Sequence, residues 1–109
     1  MAFDEDLAAR IRDRLARQKK IEERRMFGGV GFLLNGNLLV GVWKDSLVAR
    51  LGEEQAGEAL LDPHVRPFDI TGKPMKGWVL VASEGVEDDD QLADWIGRAT
   101  EFVGTLPAK

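Results

Sequence analysis

The chain has 109 residues, with 15 Lys and Arg against 19 Asp and Glu, one histidine and no cysteine. That length suits one domain with a sizeable core, and the missing thiols exclude disulfides, thiolate catalysis and Cys-containing zinc sites. A net charge of −4, beside ordinary apolar and charged fractions of 44% and 31%, argues against gripping nucleic acid by phosphate neutralisation.

No apolar run approaches the roughly 20 residues of a bilayer span, and the acidic opening "MAFDEDLAAR" is unlike a signal peptide. The expected location is the cytoplasm, with no membrane association. The charge is uneven: eight Lys/Arg stand against six Asp/Glu up to Arg25, and seven against thirteen afterwards.

Residues 4–18 place Leu7, Ile11 and Leu15 four apart, with Ala8 beside them and Asp4, Glu5 and Asp6 at the N-terminal end, where the helix dipole favours anions. The spacing predicts an amphipathic helix with Asp6–Arg10 and Asp13–Arg17 pairs. Arg10, Arg14, Arg17, Lys19 and Lys20 give it a basic outer side, a candidate for weak nucleic-acid binding, although a solvated face is the plainer reading. Autonomous nucleic-acid binding is therefore not expected.

The stretch "RRMFGGVGFLLNGN" holds four glycines beside two arginines. A dinucleotide loop would need a third glycine where Leu34 stands and a helix after it, but Asn35-Gly36 signals a hairpin instead. Strands are predicted over 29–34 and 37–43. Lys44-Asp45 then turns the chain into "SLVARL", where Leu47, Ala49 and Leu51 alternate with Val48 and Arg50, completing a three-stranded meander.

Gly52 opens a short helix over "EEQAGEALLD", stopped at Asp62-Pro63. Residues 63–76, rich in proline, read as an irregular loop. Its "TGKP" lacks the upstream glycine of a phosphate loop, and Pro74 occupies the hydroxyl position. "GWVLVAS" is a further strand, with Trp78, Leu80 and Ala82 on one face and Val79 and Val81 on the other. After Glu84-Gly85, "EDDDQ" caps a closing helix whose apolar side is Leu92, Trp95, Ile96, Ala99, Phe102, Val103 and Leu106, ended by Pro107.

The expected fold class is thus α+β: a single antiparallel sheet with helices on one face, in the order α-β-β-β-α-β, an optional further strand, and α. No catalytic set assembles from the sequence, and no cofactor or metal is indicated. His64 has no second histidine or cysteine to share a metal, and Ser46, Ser83 or Thr71 would each need a base supplied by the fold. Asp69, near Arg66, Lys73 and Lys76, reads first as a surface ion pair. Trp43, Phe68 and Trp78 read as core packing, or as a partner site if exposed together.

"RRMFGGVGFLLNGN", "LVARLG" and "RPFDITGKPMKGWVLV", in that order and spacing, closely resemble the TfoX N-terminal domain family over roughly residues 5–107. The resemblance implies a secretion chaperone-like α+β domain and a kinship with bacterial TfoX- and Sxy-type competence regulators, thought to act with the cyclic AMP receptor protein. Those regulators add a C-terminal helical domain, so this chain is expected to be a stand-alone N-terminal one. The family carries no established catalytic residues.

The motif positions matched are Arg25, Met26, Phe27, Gly28 and Gly29, then Phe68, Gly72, Pro74, Met75, Lys76, Gly77 and Trp78. Loop 66–78 is expected to fold back beside Gly28-Gly29, where missing side chains let backbone approach. The expected function is a non-catalytic regulatory or protein-interaction domain, with Arg25, Phe27, Gly28, Gly29, Trp43, Phe68, Asp69, Lys73, Met75, Lys76 and Trp78 as contact surface. The partner is expected to be a protein, and a homodimer is compatible. The alternative is a small enzyme or ligand-binding protein using the Arg66–Trp78 loop, with Asp69, Lys73, Lys76 and Arg25 around a pocket.

Overall fold

A computed structural model describes residues 3–70 and 72–108; Thr71, one of the hydroxyls considered above, lies outside the described residues. Helix α1 (Glu5–Arg14) begins at Asp4, whose carboxylate accepts from the Asp6 and Leu7 backbone N–H groups at 3.0 and 3.1 Å. This satisfies donors that a helix start leaves without partners. The helix is shorter than the 4–18 of the sequence reading. Leu15 closes it, and Ala16 and Gln18 donate to Asp13 and Leu15 in tight turns.

Four strands follow as consecutive hairpins: β1 (Ile21–Met26), β2 (Gly29–Leu34), β3 (Asn37–Trp43) and β4 (Ser46–Arg50). The turns between them are Phe27-Gly28, Asn35-Gly36 and Lys44-Asp45. In the first two both residues have positive φ, 40° and 76°, then 54° and 84°, the type I′ pattern whose twist matches that of paired strands. Strand β1 was not foreseen.

Helix α2 (Glu53–Ala59), β5 (Val65–Pro67), β6 (Trp78–Val81), a single 3₁₀ turn (Ser83–Gly85) and α3 (Asp89–Val103) complete the chain. All pairings are antiparallel in one six-stranded sheet of order β1-β2-β3-β4-β6-β5. The fold is α+β in the expected order, with β1 added in front of the meander and β5 supplying the optional strand. Asp88 is the N-cap of α3 in a capping box with Gln91, whose side chain accepts from the Asp88 N–H at 3.0 Å, and Asp89 and Asp90 lie in the first turn.

Strand alternation splits the apolar residues between two faces. Val30, Phe32, Leu34, Val40, Val42, Leu47, Ala49, Val79 and Val81 form the main core with Leu7, Ile11, Ala56, Ala59, Leu92, Trp95, Ile96 and Val103. All three helices therefore lie on this side. A bulge between Phe32 and Leu33 shifts the β2–β3 register, and Leu38 returns to the opposite face. There Leu38, Val48, Phe68 and Leu80 make a smaller cluster, joined by Met26, Phe27, Trp43, Ile70 and Trp78.

Candidate functional site

The second face of the sheet carries most of the motif residues, and its floor is bare where two glycines stand opposite each other. Gly31 and Gly41 are cross-strand partners on β2 and β3. A Cβ on Gly31 would lie 2.6 Å from the Met26 Sδ, and one on Gly41 would lie 3.1 Å from the Phe27 Cζ. Met26 and Phe27 thus fill the space that two absent side chains leave. The type I′ turn at Phe27-Gly28 delivers the Phe27 ring to this position.

Loop 68–77 closes over the same face. Phe68, 2% exposed, meets Phe27 edge-on and stacks on Trp78, each with ring centroids 5.6 Å apart. These are favourable aromatic geometries. The loop holds its shape with backbone bonds: Met75 N–H to Phe68 C=O at 3.0 Å, Gly72 N–H to Asp69 C=O at 2.9 Å, and Trp78 N–H to Met75 C=O at 3.1 Å.

The loop expected beside Gly28-Gly29 instead meets the adjacent Phe27, ring against ring, and a Cβ on Gly28 would have nothing within 4 Å. The backbone that crowds Gly29 is that of β3, at the Val42 carbonyl. The loop's own close backbone approach is elsewhere: the Gly77 C=O accepts from Leu51 and Gly52 at 2.8 and 3.1 Å, and a Cβ on Gly77 would sit 3.2 Å from the Gly52 Cα.

Cations gather around the rings. Lys44 and Arg66 lie over Trp43, 4.7 and 5.9 Å from the ring centroid, and Arg50 lies 5.4 Å from that of Trp78. Such placements are attractive because the ring face is electron-rich. Asp69, Lys73, Met75 and Lys76 are exposed on the loop, while Phe27, Trp43 and Trp78 are half-buried. Gly28 is exposed and Gly29 buried.

Arg25 does not join this group. Alternation turns it to the helix side, where its guanidinium lies 5.5 Å from the Phe3 ring centroid. The pocket imagined from Arg25, Asp69, Lys73 and Lys76 is accordingly not assembled. A groove of about 360 Å³ does run between α2 and the loop, bordered by Ala56, Leu60, Pro74, Met75, Lys76 and Trp78. Neither Arg25, Asp69 nor Lys73 lines it.

The remaining candidates have local roles. The His64 N–H donates to Asp62 Oδ1 at 2.8 Å and its C=O accepts from Ala82. Ser83 donates to the adjacent Glu84 carboxylate at 3.2 Å, and buried Ser46 is 3.5 Å from that of Asp45. Among the described residues no three His, Cys, Asp or Glu side chains converge as a metal site. None of the described helices is long and apolar enough to cross a membrane.

On α1, Arg10 pairs with Asp89 and the Glu87 carbonyl at 3.1 and 3.2 Å, not with Asp6. Arg17 lies beyond the helix end, so the foreseen i,i+4 spacing to Asp13 is not helical. Arg12 instead makes a bidentate bond to Glu23 on β1, both contacts 2.8 Å. Arginine and carboxylate geometries match in this fork arrangement. The Glu23 carboxyl is held below the ordinary range chiefly by the hydrogen bond from Arg12.

The fold and the two-sided sheet define a small α+β domain built on consecutive antiparallel hairpins. A match to the TfoX N-terminal domain family spans residues 13–103, and the chain belongs to that family. No curated protein and no solved structure matches it. The matched span contains the glycine floor, the aromatic group and the loop that covers them.

Proposed function

We propose that this is a non-catalytic regulatory domain that works by binding another protein through the second face of its sheet. The observation that carries the reading is the gathering of cations around half-buried aromatic rings on that face, opposite the acidic surface of α2 and α3. The stretches 53–62 and 84–101 carry eleven carboxylates against one cation, Arg98, and they lie around α2 and α3. Lys44, Arg50 and Arg66 instead surround half-buried Trp43 and Trp78 on the opposite side. Aromatic groups interleaved with arginine are the usual anchors of protein interfaces.

Membership of the TfoX N-terminal family fits a regulatory role of the competence type in a bacterial cytoplasm. The contact residues proposed are Phe27, Trp43, Arg66, Met75, Lys76 and Trp78, with Asp69 and Lys73 on the rim. A partner with an acidic, partly apolar surface suits them best.

The test is cross-linked capture from native cells with wild type, with R66E/K76E, and with E54K as a control on the acidic side. The reading expects one or more proteins retained by wild type and E54K and lost with R66E/K76E, at unchanged thermal stability. The same captured set for all three chains would defeat it.

A further inference from the structure

The two edges of the sheet are built differently. Strand β5 is three residues long and ends in Pro67, whose nitrogen cannot donate. Strand β1 runs six residues with neither proline nor glycine, and it pairs with β2 without a register shift. Its outer margin is open: Glu22, Glu23, Arg24 and Arg25 are all exposed.

The hairpin dictates which β1 groups face outward. Met26 and Gly29 close a two-residue turn and are therefore a hydrogen-bonded pair, as is the frame two residues along at each step. The Asn35 N–H to Lys20 C=O bond, 3.1 Å, has the same parity. Glu22, Arg24 and Met26 thus bond inward to β2, and their side chains lie on the second face. Ile21, Glu23 and Arg25 direct N–H and C=O outward, and their side chains lie on the helix side.

A second copy can continue this sheet antiparallel only through a two-fold axis normal to it, which keeps faces aligned and pairs residues of equal parity. Three registers then centre near the middle of the strand. Centring on Glu22 or on Arg24 sets like charges opposite each other on the second face. Centring on Glu23 sets Glu22 opposite the partner's Arg24, and Arg24 opposite the partner's Glu22.

Glu22 and Arg24 already form a pair at 2.8 Å within one chain. The Glu23-centred register converts two such pairs into a closed square of alternating charge, at a non-hydrogen-bonded site where opposed side chains come closest. Six backbone hydrogen bonds form across the axis, from Ile21, Glu23 and Arg25 of each copy. The two Glu23 carboxylates meet on the helix side, where each is already neutralised by its bidentate Arg12. Glu23 and Arg25 are exposed on that side, so α1 does not overhang the edge.

We infer that the β1 edge is a self-association site at which two copies join antiparallel about Glu23 into one twelve-stranded sheet. The charges on β1 are then not the like-sign guard that keeps an edge solitary. They are a register device.

Sedimentation velocity of the full chain across a concentration series tests this. The 12.1 kDa chain is expected to sediment with twice its mass at the upper end. E22R and R24E each turn two attractive cross-strand pairs into repulsive ones and should raise the dissociation constant roughly tenfold or more. The double reversal E22R/R24E restores complementarity and should recover dimerisation. E23P removes an outward N–H that β2 does not use, so it should abolish the dimer while circular dichroism stays that of the folded chain. A monomer at every concentration, a dimer indifferent to either single reversal, failure of the double reversal to recover it, or a dimeric E23P would each overturn the inference.

Discussion

Gly31 and Gly41 stand opposite each other on β2 and β3, and the hollow between them is filled by Met26 and Phe27 from the preceding strand and turn. The two positions differ in what could yield. A Cβ on Gly31 meets the ends of Met26 and Leu38 at 2.6 and 2.7 Å, whereas one on Gly41 meets the Val30 carbonyl oxygen at 2.5 Å. Gly41→Ala should therefore destabilise by roughly 1–3 kcal/mol, and Gly31→Ala by less, because a methionine end can move where a paired strand cannot. Urea unfolding of the two variants checks the order.

Phe68 is the residue that ties the loop to the sheet. Phe68→Ala should cost about 3–5 kcal/mol, as for other buried aromatics reduced to alanine. The loss should come with faster proteolytic cleavage near Lys73 and Lys76 and a weaker near-ultraviolet dichroism from the Trp78 ring it stacks on. Equal cleavage rates in variant and wild type would contradict the assigned role.

Two loop glycines with positive φ should respond differently to alanine. Gly72, at φ 91°, has open space where a Cβ would point, so Gly72→Ala meets only backbone strain, about 1 kcal/mol. Gly77, at φ 83°, adds the contact with Gly52 and the two bonds its carbonyl accepts. Gly77→Ala should lower the thermal midpoint clearly more than Gly72→Ala.

The Arg12–Glu23 pair links α1 to the edge strand, and its contribution depends on pH. The hydrogen bond from Arg12 lowers the folded-state Glu23 pKa. The stabilisation is therefore complete above the ordinary glutamate range and is lost as pH falls through the lowered value. Both side chains are more than a third exposed, 54% and 38%, so solvent screening keeps the effect to roughly 0.2–1 kcal/mol. Arg12→Gln should show that deficit near neutral pH, with the gap to wild type closing in acid and shrinking in high salt.

Much of this molecule was legible because local chemistry and fold agreed. Asn35-Gly36 turns the hairpin it announced, and the Leu92 to Val103 side of the last helix is in the core. Strand β1 was not legible because "IEERRM" lies at an edge, where exposed charges replace the apolar alternation by which strands are recognised. Strand β5 is too short, at Val65–Pro67, to produce a pattern. Arg25 was grouped with the loop because spacing in sequence does not reveal strand parity until the strand itself is known. The cations over Trp43 and Trp78 come from β5, β4 and a turn, and that convergence arises only in three dimensions.

The three two-residue turns also order the assembly of the sheet in time. Strands β1 to β4 pair with one another only as neighbours in sequence, so each of these three pairings closes a very short loop and costs little chain entropy. The β4–β6 pairing, Arg50 with Trp78, must instead draw together ends separated by α2 and the whole proline-rich segment. The amino-terminal half is thus the natural nucleus for folding, and closure of the aromatic lid by Phe68 belongs to a later step.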